Sequence, residues 1–592
     1  AGVPMLALLY AHIQGLGFGF LHRWHVSTLF ENDRHFSHLS DIEREMSFRT
    51  EMGMYYSYYK TIAESKDFVE GWKKLSHDHI SEYGNVINAS RKYSLLPEVV
   101  AGGDHVPPVT SCQGLGVPVY FYLEVVWIFT MFTTMILFYY SVYLSNTVTS
   151  GFITVLLFFF NHSECTRVQW TPPLRESFAY PILLFQINVQ NVPKGLLVEM
   201  WLATFLSLCS WQFSQFVFTT QIAALLLMNP LPNSLIVYIM FTSTVLNYLS
   251  ELLRIRSAKM RTFIEIVLVI ICTKCLKSYA SPSEDDGHIF NLLRAKLTNY
   301  KDFHTMLYTC SAEFDFLQYT TYETIVKTLL LPTAVLAGML ALYYWYRAYR
   351  IKGYPFCMEP EMVYTGLQTG AFIIMAIFIM RLKLFMNPHL CIVAGAACAG
   401  RYMEKVGLKS DRTQLFNVFS IALILLHTSL VLFYFTGEYS NIEQEELFEW
   451  IKSSTPEQAV FAGKMSLMAN LMLSTKRPIV NNPYYESKEM RDRTMKVYEV
   501  FSRKDPTSVY ITLLCSLKKY FWIFLQFYLW DLTDNGAAKS AGKPPLCPLL
   551  FQGNPYPFKK AFINNHYVVL QLDYSHYIEY KPKTMVPLYY QS

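Results

Sequence analysis

The chain is built on long apolar runs separated by short clusters of charge. A bilayer core takes roughly 17 to 25 mostly apolar residues per helix. Runs near that length are Val3 to Leu21, Val119 to Leu144, Thr147 to Phe160, Ser177 to Val189, Leu196 to Cys209, Phe213 to Met228, Leu235 to Leu253, Phe263 to Leu276, Val326 to Tyr346, Met362 to Met380, Leu390 to Gly400 and Leu415 to Phe435. The shorter ones cross only if tilted, half-length or extended by polar neighbours. The first run continues into polar, aromatic sequence with no small-residue cleavage site, so it reads as a permanent helix. From about residue 437 the pattern changes to mixed charge punctuated by Pro, Asn and Gly, which predicts a soluble domain. Within it Gln444 to Lys452 reads as an amphipathic helix, Tyr567 to Leu572 as a strand, and Tyr520 to Trp530, too short to span, as buried core. The predicted architecture is a polytopic α-helical membrane module of about 11 to 13 transmembrane helices. It covers residues 1–436 with loops 22–118 and 277–325, and an α/β domain at 437–592 follows.

Composition agrees with that pattern. Of 592 residues 52% are apolar and only 16% charged, with a mean hydropathy of +0.21, which excludes disorder, coiled coil and a secreted disulfide scaffold. A net charge of +5 is too small for a nucleic-acid binder. The eleven cysteines have no metal-type spacing, and Cys209, Cys272, Cys391 and Cys398 lie inside apolar runs as small hydrophobes.

Lys and Arg set the orientation. Three clusters, Arg254 to Arg261, Arg347 to Lys352 and Arg401 to Arg412, read as cytoplasmic, which turns segments 22–118 and 277–325, the Arg381 to His389 turn and the C-terminal domain toward the lumen. Asn88-Ala-Ser90 is an N-glycosylation acceptor on that face, and Asn161-His-Ser163 a second close to the membrane. Counting crossings as far as Arg254 leaves that cluster on the wrong side by one. Either one candidate is re-entrant or interfacial, or residues are missing between Asn229 and Arg254; Val100 to Gly103 looks like a similar join.

Polar chemistry concentrates at lumenal helix ends. After the first run, Glu31, Asp33, Arg34, His35 and His38 fall within eight residues, where a low dielectric strengthens each charge. A solvated loop capped by Asp33 is the alternative. Farther on, Glu45 and Arg49 form an i,i+4 pair expected on an exposed helix. The turn from Asn161 to Phe178 brings His162, Arg167 and Arg175 to the boundary, and Pro172 and Pro173 put Arg175 in the first turn of a helix. A cation there opposes the helix dipole, a conflict that an anionic ligand such as a lipid phosphate resolves, whereas a snorkelling Arg needs none. Arg381 and Lys383 run against the positive-inside rule and so answer to something negative. Gln212 adds an amide suited to sugar hydroxyls or to interhelical bonds.

Four strings, Phe30-Glu-Asn-Asp-Arg-His-Phe-Ser-His38, Glu43-Arg-Glu-Met-Ser-Phe-Arg-Thr-Glu-Met-Gly53, Thr171-Pro-Pro-Leu-Arg-Glu-Ser-Phe178 and Arg381-Leu-Lys-Leu-Phe385, resemble the tryptophan C-mannosyltransferases of the Dumpy-nineteen family. Glu313-Phe-Asp-Phe316 and Gln444-Glu-Glu-Leu-Phe-Glu-Trp-Ile451 extend the likeness over nearly the whole chain. That family resembles the GT-C glycosyltransferases, polytopic enzymes of the endoplasmic reticulum that use dolichyl-phosphate sugars at the lumenal face and carry a lumenal C-terminal domain. The resemblance implies transfer of mannose from dolichyl-phosphate-mannose to indole C2 in Trp-x-x-Trp or Trp-x-x-Cys segments, with inversion. No cofactor is expected, the lipid-linked donor being a substrate, and no metal, since no Asp/Glu cluster of metal type accompanies Glu31 and strong electrostatic stabilisation of the leaving group lets the enzyme dispense with one. Glu31 takes the place of the acid that GT-C enzymes use after the first span and is assigned as catalytic, with Asp33 as runner-up. Arg175 and Arg381, then Lys383 and His389, are assigned to the donor phosphate, and His35, His38, His162, Gln212 and Glu313 to the sugar or acceptor region. Competing readings are another dolichyl-phosphate-sugar enzyme, transferring mannose or an oligosaccharide to Ser, Thr or Asn, and a transporter or scaffold, whose charges would sit on broken helices at mid-bilayer.

Overall fold

In hydrocarbon every backbone N–H and C=O must be satisfied within its own segment, so the apolar runs fold as helices. The computed structural model describes residues 5–102, 117–190, 197–211, 213–228, 291, 294–298, 300, 302–309, 312–352, 360–397, 439–485, 487–517, 521–526 and 544–572. Contacts divide the chain into two units, residues 1–33, 108–283 and 308–436 in the first and 34–107, 284–307 and 437–592 in the second.

The first unit contains α1 (Met5–Arg34), α2 (Pro118–Ser145), α3 (Val148–Phe160), α4 (His162–Cys165), α5 (Arg175–Gln190), α6 (Leu197–Ser210), α7 (Ser214–Met228), α8 (Tyr319–Lys327), α9 (Leu330–Lys352), α10 (Pro360–Phe378) and α11 (Lys383–Ala397). Close approach depends on small side chains. A Cβ on Gly15 of α1 would stand 2.6 Å from the Tyr139 ring of α2. Ser141, Ser150 and Thr154 join α2 to α3 through buried hydroxyl bonds of 2.6 and 2.7 Å, and Thr154 reaches the Cys391 carbonyl of α11 at 3.3 Å.

Among the described residues two helices are long and apolar enough to cross a membrane, α2 and the Glu361–Phe378 stretch of α10. The expected Val326 to Tyr346 span is bent near its start: α8 and the Leu330–Tyr343 part of α9 together are long and apolar enough to cross but meet at 76°, with Leu329 between them at φ 58°. Helices α5, α6, α7 and α11 have 16, 14, 15 and 15 residues, short of the full bilayer length. The expected spans Leu235 to Leu253, Phe263 to Leu276 and Leu415 to Phe435 lie outside the described residues.

The second unit is α/β. Its sheet has the order β1 (Val460–Ala462), β2 (Phe521–Gln526), β4 (Tyr567–Leu572), β3 (Lys559–Ile563), with β1 parallel to β2 and the other pairs antiparallel. The Tyr520 to Trp530 run supplies β2, with Ile523 fully buried, and the amphipathic segment forms the helix Ile442–Ser454. Much of the segment read as a membrane-module loop packs into this unit. The Asn470 amide donates to the Met46 carbonyl at 2.8 Å, and Tyr83 and Ile479 are joined by a backbone bond of 2.8 Å. The tyrosine-rich helix Glu51–Ala63 buries Tyr55, Tyr56, Tyr58 and Tyr59, area that gives no hydropathy run in the sequence.

Candidate active site

Helix α1 does not stop at Leu21. It runs to Arg34, and Glu31 and Asp33 stand in its last turn, both partly exposed. The next residue, His35, adopts φ 50° and ψ 45°, a left-handed conformation that ends the helix. Carboxylates at a helix C-terminus oppose the macrodipole, so capping does not account for this pair.

Helix α5 begins at Arg175, which is 4% exposed, and its second residue is Glu176, an acid where the dipole favours one. Phe178 packs against Tyr122 and Phe129 of α2 at ring-centroid distances of 6.0 and 5.4 Å, and Phe30 of α1 packs against Trp127 at 5.5 Å. One stretch of α2, residues 122–129, therefore holds both the end of α1 and the start of α5, and Glu31 and Arg175 lie at the same end of the unit.

An ion-pair network occupies the helix ends around α5. Arg381 donates to Glu176 at 2.7 Å, Arg167 grips Glu313 with two nitrogens at 2.9 and 2.5 Å, and Arg167 lies 3.6 Å from the other oxygen of Glu176. Lys383 donates to Glu164 at 2.7 Å, and the Asn387 amide donates to the Glu164 carbonyl at 2.8 Å. The anions that Arg381 and Lys383 answer to thus include carboxylates of this chain. Glu164 and Glu176 escaped the sequence reading, although the acid in the first turn of α5 was a visible signal.

Several expectations are corrected. Residues 381–389 are not a turn between spans: Met380–Leu382 is one 3-10 turn, and α11 starts at Lys383 and buries His389. The His389 Nδ1 bonds the Phe385 carbonyl at 3.0 Å, which can only accept, so the neutral ring offers a bare Nε2. A phosphate needs donors, and a neutral His389 supplies none. Glu45 pairs with Lys60 rather than Arg49, because the helix Asp41–Ser47 ends before Arg49. Asn161 is fully buried, its amide donating to Leu157 and its oxygen accepting from Thr328, so this sequon is closed; Asn88 is exposed and caps a short helix. His35 and His38 are exposed in the second unit, His162 is buried against α1, and Gln212 lies outside the described residues. Among the described residues no three of His, Cys, Asp and Glu converge as metal ligands.

The family model Dpy19, described as Q-cell neuroblast polarisation, matches residues 16–233 and 225–572. The human protein named "Protein C-mannosyl-transferase DPY19L1" is 36% identical over 93% of this chain and 95% of its own length. The Caenorhabditis elegans "C-mannosyltransferase dpy-19" is 36% identical over 95% of each. Among solved structures, the apo oligosaccharyltransferase of Archaeoglobus fulgidus aligns with a TM-score of 0.51 at 10% identity, over 86% of this chain and 69% of that one, and shows the GT-C fold of membrane glycosyltransferases. With a family model over most of its length and relatives at this identity, the chain belongs to the Dpy19 family.

Proposed function

We propose that the chain is a protein C-mannosyltransferase of the endoplasmic reticulum membrane. It moves mannose from dolichyl-phosphate-mannose to C2 of a tryptophan indole in Trp-x-x-Trp or Trp-x-x-Cys segments of secretory polypeptides, at the lumenal face and without a metal. The observation that carries the reading is the placement of Glu31, against its helix dipole, at the same end of the unit as the Arg175, Glu176 and Arg381 cluster. The names of the relatives supply the chemistry to test.

Transfer requires the bond from the anomeric carbon to phosphate oxygen to break, with the electron pair leaving on dolichyl phosphate. Indole C2 attacks the opposite face, and the C2 proton then leaves to a base. An oxocarbenium-like centre forms on the way, and a carboxylate beside it both stabilises that charge and takes the proton. Glu31 has that role, with Asp33 as the runner-up. Arg175 and Arg381 stabilise the leaving phosphate, and Glu176 holds the Arg381 guanidinium in one orientation.

The test incubates purified protein with donor and a Trp-x-x-Trp peptide in excess EDTA. The expected product gains one hexose on tryptophan that survives mild base and N-glycanase. Glu31→Gln keeps shape but not charge, and should lower turnover by about a hundredfold or more while donor still binds. A base-labile product would make this an O-mannosyl enzyme, a need for manganese or magnesium would end the metal-free reading, and substantial turnover by Glu31→Gln would move the role to Asp33.

A further inference from the structure

A histidine relay lies inside the first unit, deeper along α1 than Glu31. His22 is fully buried, and its Nδ1 stands 3.0 Å from the Thr130 carbonyl and within a short bond of the Thr134 hydroxyl, both on α2. Its Nε2 faces the Nε2 of His162 on α4 at 3.0 Å. His25, one turn on and partly exposed, packs edge-on to His162 with ring centroids 5.2 Å apart. The Nδ1 of His162 is buried with no hydrogen-bond partner.

Hydrogen-bond logic assigns the protons. A carbonyl oxygen only accepts and a hydroxyl can rotate to accept, so both neighbours of Nδ1, Thr130 and Thr134, are satisfied when His22 carries its proton there, whereas a bare Nδ1 would face the carbonyl lone pairs. Two facing nitrogens at 3.0 Å share one proton, and an uncompensated charge in this apolar surrounding is costly, so the pair is neutral and His162 donates from Nε2 to His22. His162 is thereby left with a bare Nδ1. One backbone carbonyl of α2 thus dictates, through two rings, that an acceptor lone pair is presented in a buried place. A buried acceptor without a donor costs free energy, and a ligand that supplies the donor accounts for this one.

We infer that His162 Nδ1 is a substrate-contacting acceptor for an uncharged hydrogen-bond donor, either a hydroxyl of the transferred sugar or the indole N–H, and that His22 is the positioning residue that fixes its tautomer. The inference rests on the mannosyl-transfer reading and deepens it. His162 is excluded from phosphate binding, since a bare nitrogen repels phosphate oxygens. His25, partly exposed, packs beside it.

Two isosteres separate this role from packing. His162→Gln places an amide N–H where Nε2–H was, keeping the bond to His22 while removing the Nδ1 acceptor; His162→Asn keeps an acceptor near Nδ1 and loses the link to His22. His162→Gln should raise KM for one substrate about tenfold, a neutral hydrogen bond's worth, with unchanged melting temperature. His162→Asn should retain more affinity than His162→Gln for that substrate. A rise for dolichyl-phosphate-mannose assigns the sugar hydroxyl, and a rise for the tryptophan peptide assigns the indole. Independently of turnover, 15N spectra of histidine-labelled protein should show the His162 Nδ1 bare in wild type, moving when the contacted substrate is added, and a mixture of tautomers in His22→Asn. Unchanged KM for both substrates in His162→Gln, or a protonated Nδ1 in the free protein, would overturn the inference. Absence of mannose transfer by the wild type, with the Nδ1 bare and responsive to added substrate, would overturn only the reading of the reaction.

Discussion

The two units use buried charge in opposite ways. In the first, Arg167, Arg175, Arg381 and Lys383 gather with Glu164, Glu176 and Glu313, and the pairs join residues 146, 205 and 219 positions apart. In the second, Asp78 and Glu82 are buried and take their partners locally, Glu82 through one of its two oxygens. Asp78 accepts from the Tyr58 hydroxyl at 2.9 Å, the Ser81 hydroxyl at 2.5 Å and the Ile80 N–H at 2.8 Å, and Glu82 accepts from Tyr93 at 2.7 Å and Lys92 at 2.6 Å. Partners within about one loop make a structural pin. A set drawn from distant helix ends holds several cations in one place, which is what an anionic substrate needs.

The hardest way to break that contrast is Glu176→Ala. It leaves Arg381 and Arg167 facing each other across a buried gap, and removing one partner of a buried pair costs about 3 to 5 kcal/mol. The purified protein should melt well below wild type; an unchanged melting temperature would show that the network contributes nothing to stability. Arg175→Ala should act on function instead, weakening dolichyl-phosphate-mannose about ten- to a hundredfold, the worth of a charge-assisted bond, with little effect on a tryptophan peptide. Lys at that position should rescue only partly, since it keeps the charge without the planar fork. If peptide binding weakened and donor affinity held, Arg175 would belong to the acceptor site.

Asp78→Ala sharpens the comparison from the other side. It strands buried hydroxyl and N–H donors and should cost about 2 kcal/mol of stability, with the donor KM unchanged. A donor effect would erase the distinction between the units. The smallest effect concerns pH. Burial holds the His304 imidazole below its ordinary 6.5, beside the Tyr485 hydroxyl at 2.6 Å. The unfolded chain takes up the proton first, so this contribution is complete above pH 6.5 and is lost as pH falls toward the folded value. His304→Gln should flatten the fall in melting temperature below pH 6.5; a parallel curve would remove His304 as its source.

The end of α1 shows why some of the site was not legible. An apolar count stops at Leu21 because His22, Arg23 and His25 follow. The helix continues because α2 satisfies those groups: Thr130 takes the His22 N–H, and Glu124 accepts from Arg23 at 2.6 Å. Residues 381–389 were misread for the same reason, since the acids that meet Arg381 and Lys383 lie more than 200 positions earlier. Asn161 read as a sequon because nothing local reveals that Thr328 and Leu157 enclose it.

What the sequence determined by itself is what a few consecutive residues can encode. The apolar length of α2, the amphipathic period of Ile442–Ser454, the alternation in Tyr567–Leu572 and the strings that mark the family all depend on neighbours within a turn or a strand. Only the tertiary structure decided which carboxylate meets which cation, which ring faces His162, and that much of segment 34–107 builds onto the C-terminal fold. Those outcomes depend on the approach of side chains far apart in the chain, and Coulomb and hydrogen-bond energies act on distance in space, which residue spacing along the chain does not carry.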